Sequence, residues 1–215
     1  MSKYIVGCLG AAFIGLIILA IVLFLTGAGT YNHLVTLKQG VDSKWAEVEN
    51  QYQRRYDLIP NLVQTVSGAA NFEKSTLTAV TDARASVGQV KLDPNQAPTD
   101  PAKLQQFEQA QNSLGSALSR LLVVSENYPN LKSDQNFLDL QAQLEGTENR
   151  ITTARYYFNQ AAQDYNTAVQ TFPTNLFAGM FGFATRPYFQ ATPGSETPPA
   201  VHFDFNTPAT NASGH

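Results

Sequence analysis

Apolar residues along this chain recur at steps of three and four over unusually long distances. The longest run comprises Phe137, Leu140, Leu144, Thr147, Ile151, Ala154, Phe158, Ala161, Tyr165, Ala168 and Phe172. That spacing lays one mostly apolar stripe along a helix of roughly ten turns, about 55 Å long at ~1.5 Å per residue. A stripe so long and narrow can be covered only by other helices of similar length.

The chain supplies them. From Tyr31, residues Leu34, Leu37, Val41, Trp45, Val48, Tyr52, Ile59, Leu62 and Val66 repeat the pattern. Pro60 lies inside it and should bend that helix without ending it. Gly68 and Asn71 mark a turn, and a shorter helix follows from about Phe72 to Val90 on Leu77, Val80, Ala83 and Val87. The run from Asp93 to Pro101, with three prolines, is a loop. Asp100 is placed to cap a third helix with Pro101 in its first turn. Leu104, Phe107, Gln111, Leu114, Leu118 and Leu121 form its stripe. Pro129 closes it, Ser133 or Asp134 caps the long fourth helix, and Pro173 stops that helix. The fold class expected is all-α: an N-terminal transmembrane helix, then a long antiparallel four-helix bundle, then an extended C-terminal tail.

A different pattern occupies the start. From Tyr4 to Leu25 no residue is charged, and a run of that length crosses the ~30 Å of bilayer hydrocarbon. It exceeds the ~7 to 15 apolar residues of a cleaved signal peptide. Ile5-Val6-Gly7-Cys8 resembles a lipoprotein cleavage box, but the apolar core follows the cysteine instead of preceding it. An uncleaved anchor is therefore expected over residues 1–29, with Gly27 to Thr30 as a short linker and the bundle over 30–173. Lys3 and the terminal amine, set against Lys38 and Lys44, favour a cytoplasmic short end and an extracytoplasmic bulk.

Past Pro173, residues Leu176, Phe177, Met180, Phe181 and Phe183 crowd a stretch too short to span a bilayer. In an up-and-down bundle the end of the fourth helix returns to the pole where the first begins. This segment is thus expected at bilayer level, as a contact to membrane or to a neighbouring subunit. The segment 174–205 continues as an extended tail, and 206–215 is a loose end.

Composition narrows the function. The hydrophobic share is 43%, much of it in the anchor, and the net charge is −3 without a basic cluster, which argues against a nucleic-acid partner. His33, His202 and His215 are far apart in sequence, Cys8 lies in the apolar run, and no phosphate-cradling loop or metal-ligand spacing is present. No cofactor or metal is expected, and no catalytic residue is assigned. The densest polar cluster, Glu145 to Arg150, interrupts the long stripe. Two carboxylates three apart on one helix face can do acid/base work or hold a cation. Alternatively, Glu145 or Glu148 meets Arg54 or Arg55 inside the bundle and fixes register, with Gly146 allowing close helix approach. The polar network so expected comprises Arg54, Arg55, Glu145, Glu148, Asn149 and Arg150.

Several ordered stretches carry a resemblance. Gln53-Arg54-Arg55-Tyr56-Asp57-Leu58-Ile59-Pro60-Asn61-Leu62-Val63, Ala83-Arg84-Ala85, Glu126-Asn127-Tyr128-Pro129-Asn130-Leu131-Lys132, Leu144-Glu145-Gly146-Thr147-Glu148-Asn149-Arg150-Ile151 and Phe172-Pro173-Thr174-Asn175 are similar to the LemA family of bacterial membrane proteins. The resemblance covers about Tyr31 to Phe205. It implies an N-terminal anchor and a four-helix bundle, no established enzymatic activity, and links to membrane remodelling, magnetosome biogenesis and membrane proteases. The expected function is a single-pass scaffold of the bacterial inner membrane that contacts lipid and assembles with its own copies. The alternative is an adaptor presenting the bundle to a membrane protease or other membrane-protein partner. Uncharged faces such as Gln105, Gln109, Asn112, Ser116 and Ser119, which repel neighbours little, favour the scaffold.

Overall fold

A computed structural model of the chain describes residues 2–68 and 72–190, with side chains from residue 13 onward apart from residue 23. The expectations for Asn71, for His202, and for the tail carrying Val201, Phe203 and Phe205 lie outside the described residues. Every described element is a helix: α1 (Ser2–Ser67), α2 (Lys74–Gln89), α3 (Pro101–Ser125), α4 (Pro129–Lys132), α5 (Gln135–Gln170) and α6 (Thr174–Phe181).

α1 corrects the expected linker. Gly27 to Thr30 are helical, so the apolar segment and the amphipathic segment form one rod of 66 residues that also passes through Pro60. Glycine costs a helix interior only about 1 kcal/mol, and Gly27 has a packing reason to be there. An added Cβ would stand 3.2 Å from Cε1 of Phe177, so the glycine lets a ring from α6 lie against the helix backbone. Among the described side chains, the apolar stretch of α1 from Phe13 to Leu25 is uncovered. Phe13, Ile14, Leu16, Ile18, Phe24 and Leu25 are all exposed, which makes this helix, by length and composition, a possible membrane span.

The other boundaries follow local chemistry. Asp100 accepts from the Ala102 amide at 2.9 Å and Asp134 from the Phe137 amide at 3.0 Å, as their cap positions require. α3 ends at Ser125, and Pro129 opens the short α4 instead of closing α3. Gly182, with φ of 74°, terminates α6 in the left-handed region that glycine tolerates.

α1 packs chiefly on α5, α2 on α3, and α6 on both α1 and α5. The α1–α5 contacts pair residues in opposite numerical order: Trp45 meets Phe158, while Arg55 meets Glu148. The α1 and α3 stripes are buried largely as expected, and Trp45 is fully buried against Phe107, Phe158 and Phe189. The α5 stripe departs at its end. Ala162, Asn166 and Val169 are buried, whereas Ala161 and Ala168 lie at the margin and Phe172 is 74% exposed. A strict 3.5-residue repeat drifts around a straight 3.6-residue helix, and the face toward the core moves by one position.

The core is divided in two. One apolar cluster holds Trp45 and Tyr52 of α1, Phe107 of α3, and Ile151 and Phe158 of α5. The other holds Ile59 of α1, Leu114 of α3 and Leu144 of α5. Between them, one residue per helix at a core position is polar and buried: Arg55, Gln111 and Thr147.

Candidate functional site

That polar layer is the first of three sites. Arg55 is 4% exposed, and its guanidinium donates to Glu148 at 2.7 Å and to the side-chain oxygen of Gln111. The guanidinium also lies 5.1 Å from the Tyr52 ring, a favourable cation–π distance. Thr147 returns its hydroxyl to the Gln143 carbonyl, so it enters the layer without needing a partner. Of the six residues expected to form the network, only Arg55 and Glu148 meet. Arg54, Asn149 and Arg150 are exposed, and among the described residues Glu145 accepts from Gln141, one turn earlier on its own helix. Gly146 corrects a second expectation: nothing lies within 4 Å of a Cβ placed there, so it mediates no close helix approach. A cleft of about 690 Å³ between α3 and α5 opens onto Arg55, Gln111, Gly115, Glu145 and Glu148.

The second site is a strap. After Gly182 the chain runs back along α5 to Gln190 without regular structure, held by asparagine side chains acting as paired clamps. The Asn166 amide group donates to the Arg186 carbonyl at 2.8 Å, and its oxygen accepts from the Arg186 amide at 2.7 Å. Asn159, two turns earlier, repeats the arrangement on Phe189 at 3.1 and 2.9 Å. Each clamp satisfies both backbone groups of one strap residue, as a neighbouring β-strand would. Arg186, 3% exposed, donates to the Ala97 carbonyl and approaches Asp42 at 3.7 Å, while Asp42 accepts from the Ala97 amide. Together with the Trp45 indole, which donates to the Asp93 carbonyl at 2.9 Å, these bonds fix the proline-rich loop onto α1. At the far end Arg155 bridges Glu108 and the Gln190 carbonyl. Burial pushes the Glu108 carboxyl up, and the Arg155 charge opposes this. Sequence reasoning expected an extended tail but found none of these partners. Two asparagines seven apart on a buried helix face were the available signal.

The third site is the junction of α1 and α6. Phe177 packs on Gly27, and Tyr31 of α1 meets Phe181 and Phe183 edge to face at 5.1 and 5.6 Å. Leu176 and Met180 are about two-thirds exposed, and Ala178 is the buried residue of α6. The Phe-rich segment therefore lies beside the end of the exposed apolar stretch of α1. Away from all three sites, burial pushes the Glu49 carboxyl up from 4.5 to about 7 in a pocket shared with Tyr52, Tyr56 and Lys91.

An all-helical chain with an apolar N-terminal helix, and with Arg55, Thr147 and Glu148 of its polar layer inside the motifs quoted above, matches the LemA family over residues 44–203, and the chain belongs to that family. Among its relatives, magnetosome protein MamQ 2 of Paramagnetospirillum magneticum is 30% identical over 186 residues, covering 78% of this chain and 67% of that protein. Magnetosome protein MamQ of Magnetospirillum gryphiswaldense is 28% identical and covers 84% of this chain and 72% of that protein. Protein LemA of Metamycoplasma hominis is 24% identical over 164 residues, covering 76% and 70%.

Proposed function

We propose that this protein is a single-pass scaffold of the bacterial inner membrane, which self-assembles laterally and shapes the bilayer it stands on. The observation that carries the reading is the unbroken α1. A helix that is apolar on all sides becomes, without a joint, the central rod of a packed domain, so a bilayer and the domain would be mechanically coupled. A hinge would decouple them; here none intervenes. α6 adds an apolar wedge at the same level, with Leu176, Phe177, Met180 and Phe181 beside the span, which suits the interfacial zone of a membrane.

α1, α2, α3 and α5 are read as an antiparallel four-helix bundle with coiled-coil-like seams, supported by the opposite order of the α1–α5 contacts and by buried stripes at heptad spacing. In such a bundle the layer of Arg55, Gln111 and Glu148 sets register. A slip of one heptad would leave Arg55 in an apolar layer without a counterion, which costs several kcal/mol. With Glu148 committed to Arg55, the layer is read as structural, in keeping with a scaffold rather than an enzyme. The charge balance at the two ends of the span favours a bulk outside the cytoplasm.

The test is the double variant Phe177→Ser, Phe181→Ser in the full chain. Unchanged helicity by circular dichroism, with loss of multimers on chemical cross-linking in membranes, is the expected result. Normal multimers from the variant would remove α6 from the assembly.

A further inference from the structure

Two crevices of opposite character meet end to end along α1. The first, about 390 Å³, is walled by Phe24 and Ala28 of α1 and by Phe177 and Met180 of α6. The second, about 430 Å³, is lined by Lys38, Gln39 and Asp42 of α1, by Gln96 and Thr99 of the proline-rich loop, and by Arg186 of the strap. Tyr31 and Phe181, in edge-to-face contact at 5.1 Å, belong to the walls of both. One molecule lying along α1 would therefore pass from an apolar slot into a polar one.

The charges in the polar crevice are unequally occupied. Asp42 accepts from the Ala97 amide at 3.0 Å and stands 3.7 Å from Arg186, and Arg186 also donates to the Ala97 carbonyl. Lys38 is half-buried and has no ion pair or hydrogen bond among the described residues. With Asp42 and Arg186 offsetting each other, the crevice carries one surplus positive charge.

We propose that the two crevices together seat one anionic glycerophospholipid, with an acyl chain between Phe24 and Met180 and its phosphate at Lys38. The inference rests on the reading that α1 spans a bilayer, and it names the lipid class held at the base of the domain. Geometry along the helix agrees. The apolar crevice starts at Phe24, within the last turn of the exposed apolar stretch of α1, so its occupant is continuous with hydrocarbon. Lys38 lies 14 residues further on, about 21 Å at ~1.5 Å per residue, a span that takes a chain segment, a glycerol and a phosphate. Gly27 is what keeps the slot narrow, because Phe177 lies directly on the helix backbone there. Tyr31 stands at the boundary of the two crevices, with an apolar ring toward the slot and a hydroxyl that can face the polar side.

The test uses the full chain in mild detergent, incubated with equal amounts of phosphatidylglycerol and phosphatidylcholine and read by native mass spectrometry. The parent protein should retain one lipid per chain, preferentially phosphatidylglycerol. Ala28→Leu fills the apolar slot from an exposed position and should lower retention of both lipids by about tenfold, the equivalent of about 1.4 kcal/mol. Lys38→Ala should keep the lipid but erase about fivefold of preference for the anionic head, as expected for one lysine near a charged surface. Equal retention by parent and both variants would overturn the proposal. So would displacement of the lipid by inorganic phosphate, which would make the site one for free anions. Cross-linking between copies through Met180→Cys that excludes lipid would overturn it as well, since the occupant would then be a second chain. An alkaline carbonate wash separates the two readings: release of the chain from membranes sinks the anchor and the seat together, whereas a retained chain without lipid selectivity sinks the seat alone.

Discussion

Replacing Asn166 by Ala removes one clamp of the strap and leaves both backbone groups of Arg186 in a buried position without partners. Each such group costs about 1–3 kcal/mol when left unsatisfied. The strap can escape part of this cost by swinging into water, at the loss of the Phe189 stack on Trp45. The net weakening is therefore about 3 kcal/mol, on the order of 100-fold in the opening equilibrium. Amide hydrogen exchange reads that equilibrium directly, because the Arg186 and Phe189 amides both donate to asparagine side chains. In Asn166→Ala the Arg186 amide should exchange on the order of 100 times faster. The Phe189 amide, held by the intact Asn159, should accelerate with it if the strap opens as one unit. An Arg186 amide exchanging within about threefold of the parent rate would show that the clamp does not hold the strap, and the reasoning from unsatisfied groups would fail.

Trp45→Ala should destabilise the domain by about 3–5 kcal/mol in chemical denaturation followed by circular dichroism, since a fully buried ring against three aromatic partners is lost. A cost below about 1 kcal/mol would mean that the site collapses around the cavity. Glu148→Ala should cost about 2 kcal/mol, between the values for exposed and buried pairs, because Arg55 is buried while Glu148 is half in solvent; Glu148→Gln, which keeps an acceptor, should cost less. Glu49 makes stability fall with rising pH. Its folded pKa of about 7 lies above the unfolded value of 4.5, so the folded state holds the extra proton between those values and the advantage is lost as pH rises through that window. Glu49→Gln should flatten the denaturation midpoint between pH 4.5 and about 7, and an unaltered slope would assign the pH dependence to other groups.

Much of the helical layout is legible in the sequence because its signals are local or periodic. The stripes from Leu34 to Val66 and from Leu104 to Leu121 needed only spacing, and Asp100 and Asp134 cap their helices through contacts two or three residues away. The misses have a common physical form, in which a residue with a local meaning is used for a distant partner. Gly27 and Gly29 read as a linker, yet both are helical, and the missing side chain of Gly27 makes room for Phe177, 150 positions further on. The polar cluster from Glu145 to Arg150 reads as one network, but successive residues on a helix point about 100° apart, and only Glu148 faces Arg55. Gln111 and Thr147 were visible as core positions. That they share a layer with Arg55 depends on helix register, which no single stretch encodes. The strap is the least legible part, since Asn166 clamps Arg186 through that residue's backbone groups, which any residue carries.

The central claim, lateral self-assembly of an anchored bundle, is tested most directly by the mass of the full chain after gentle detergent extraction, measured particle by particle. The account predicts a single discrete particle many times the 23.5 kDa of one chain and containing no other protein. A lone chain in its micelle, or one chain bound to a different membrane protein, would contradict it.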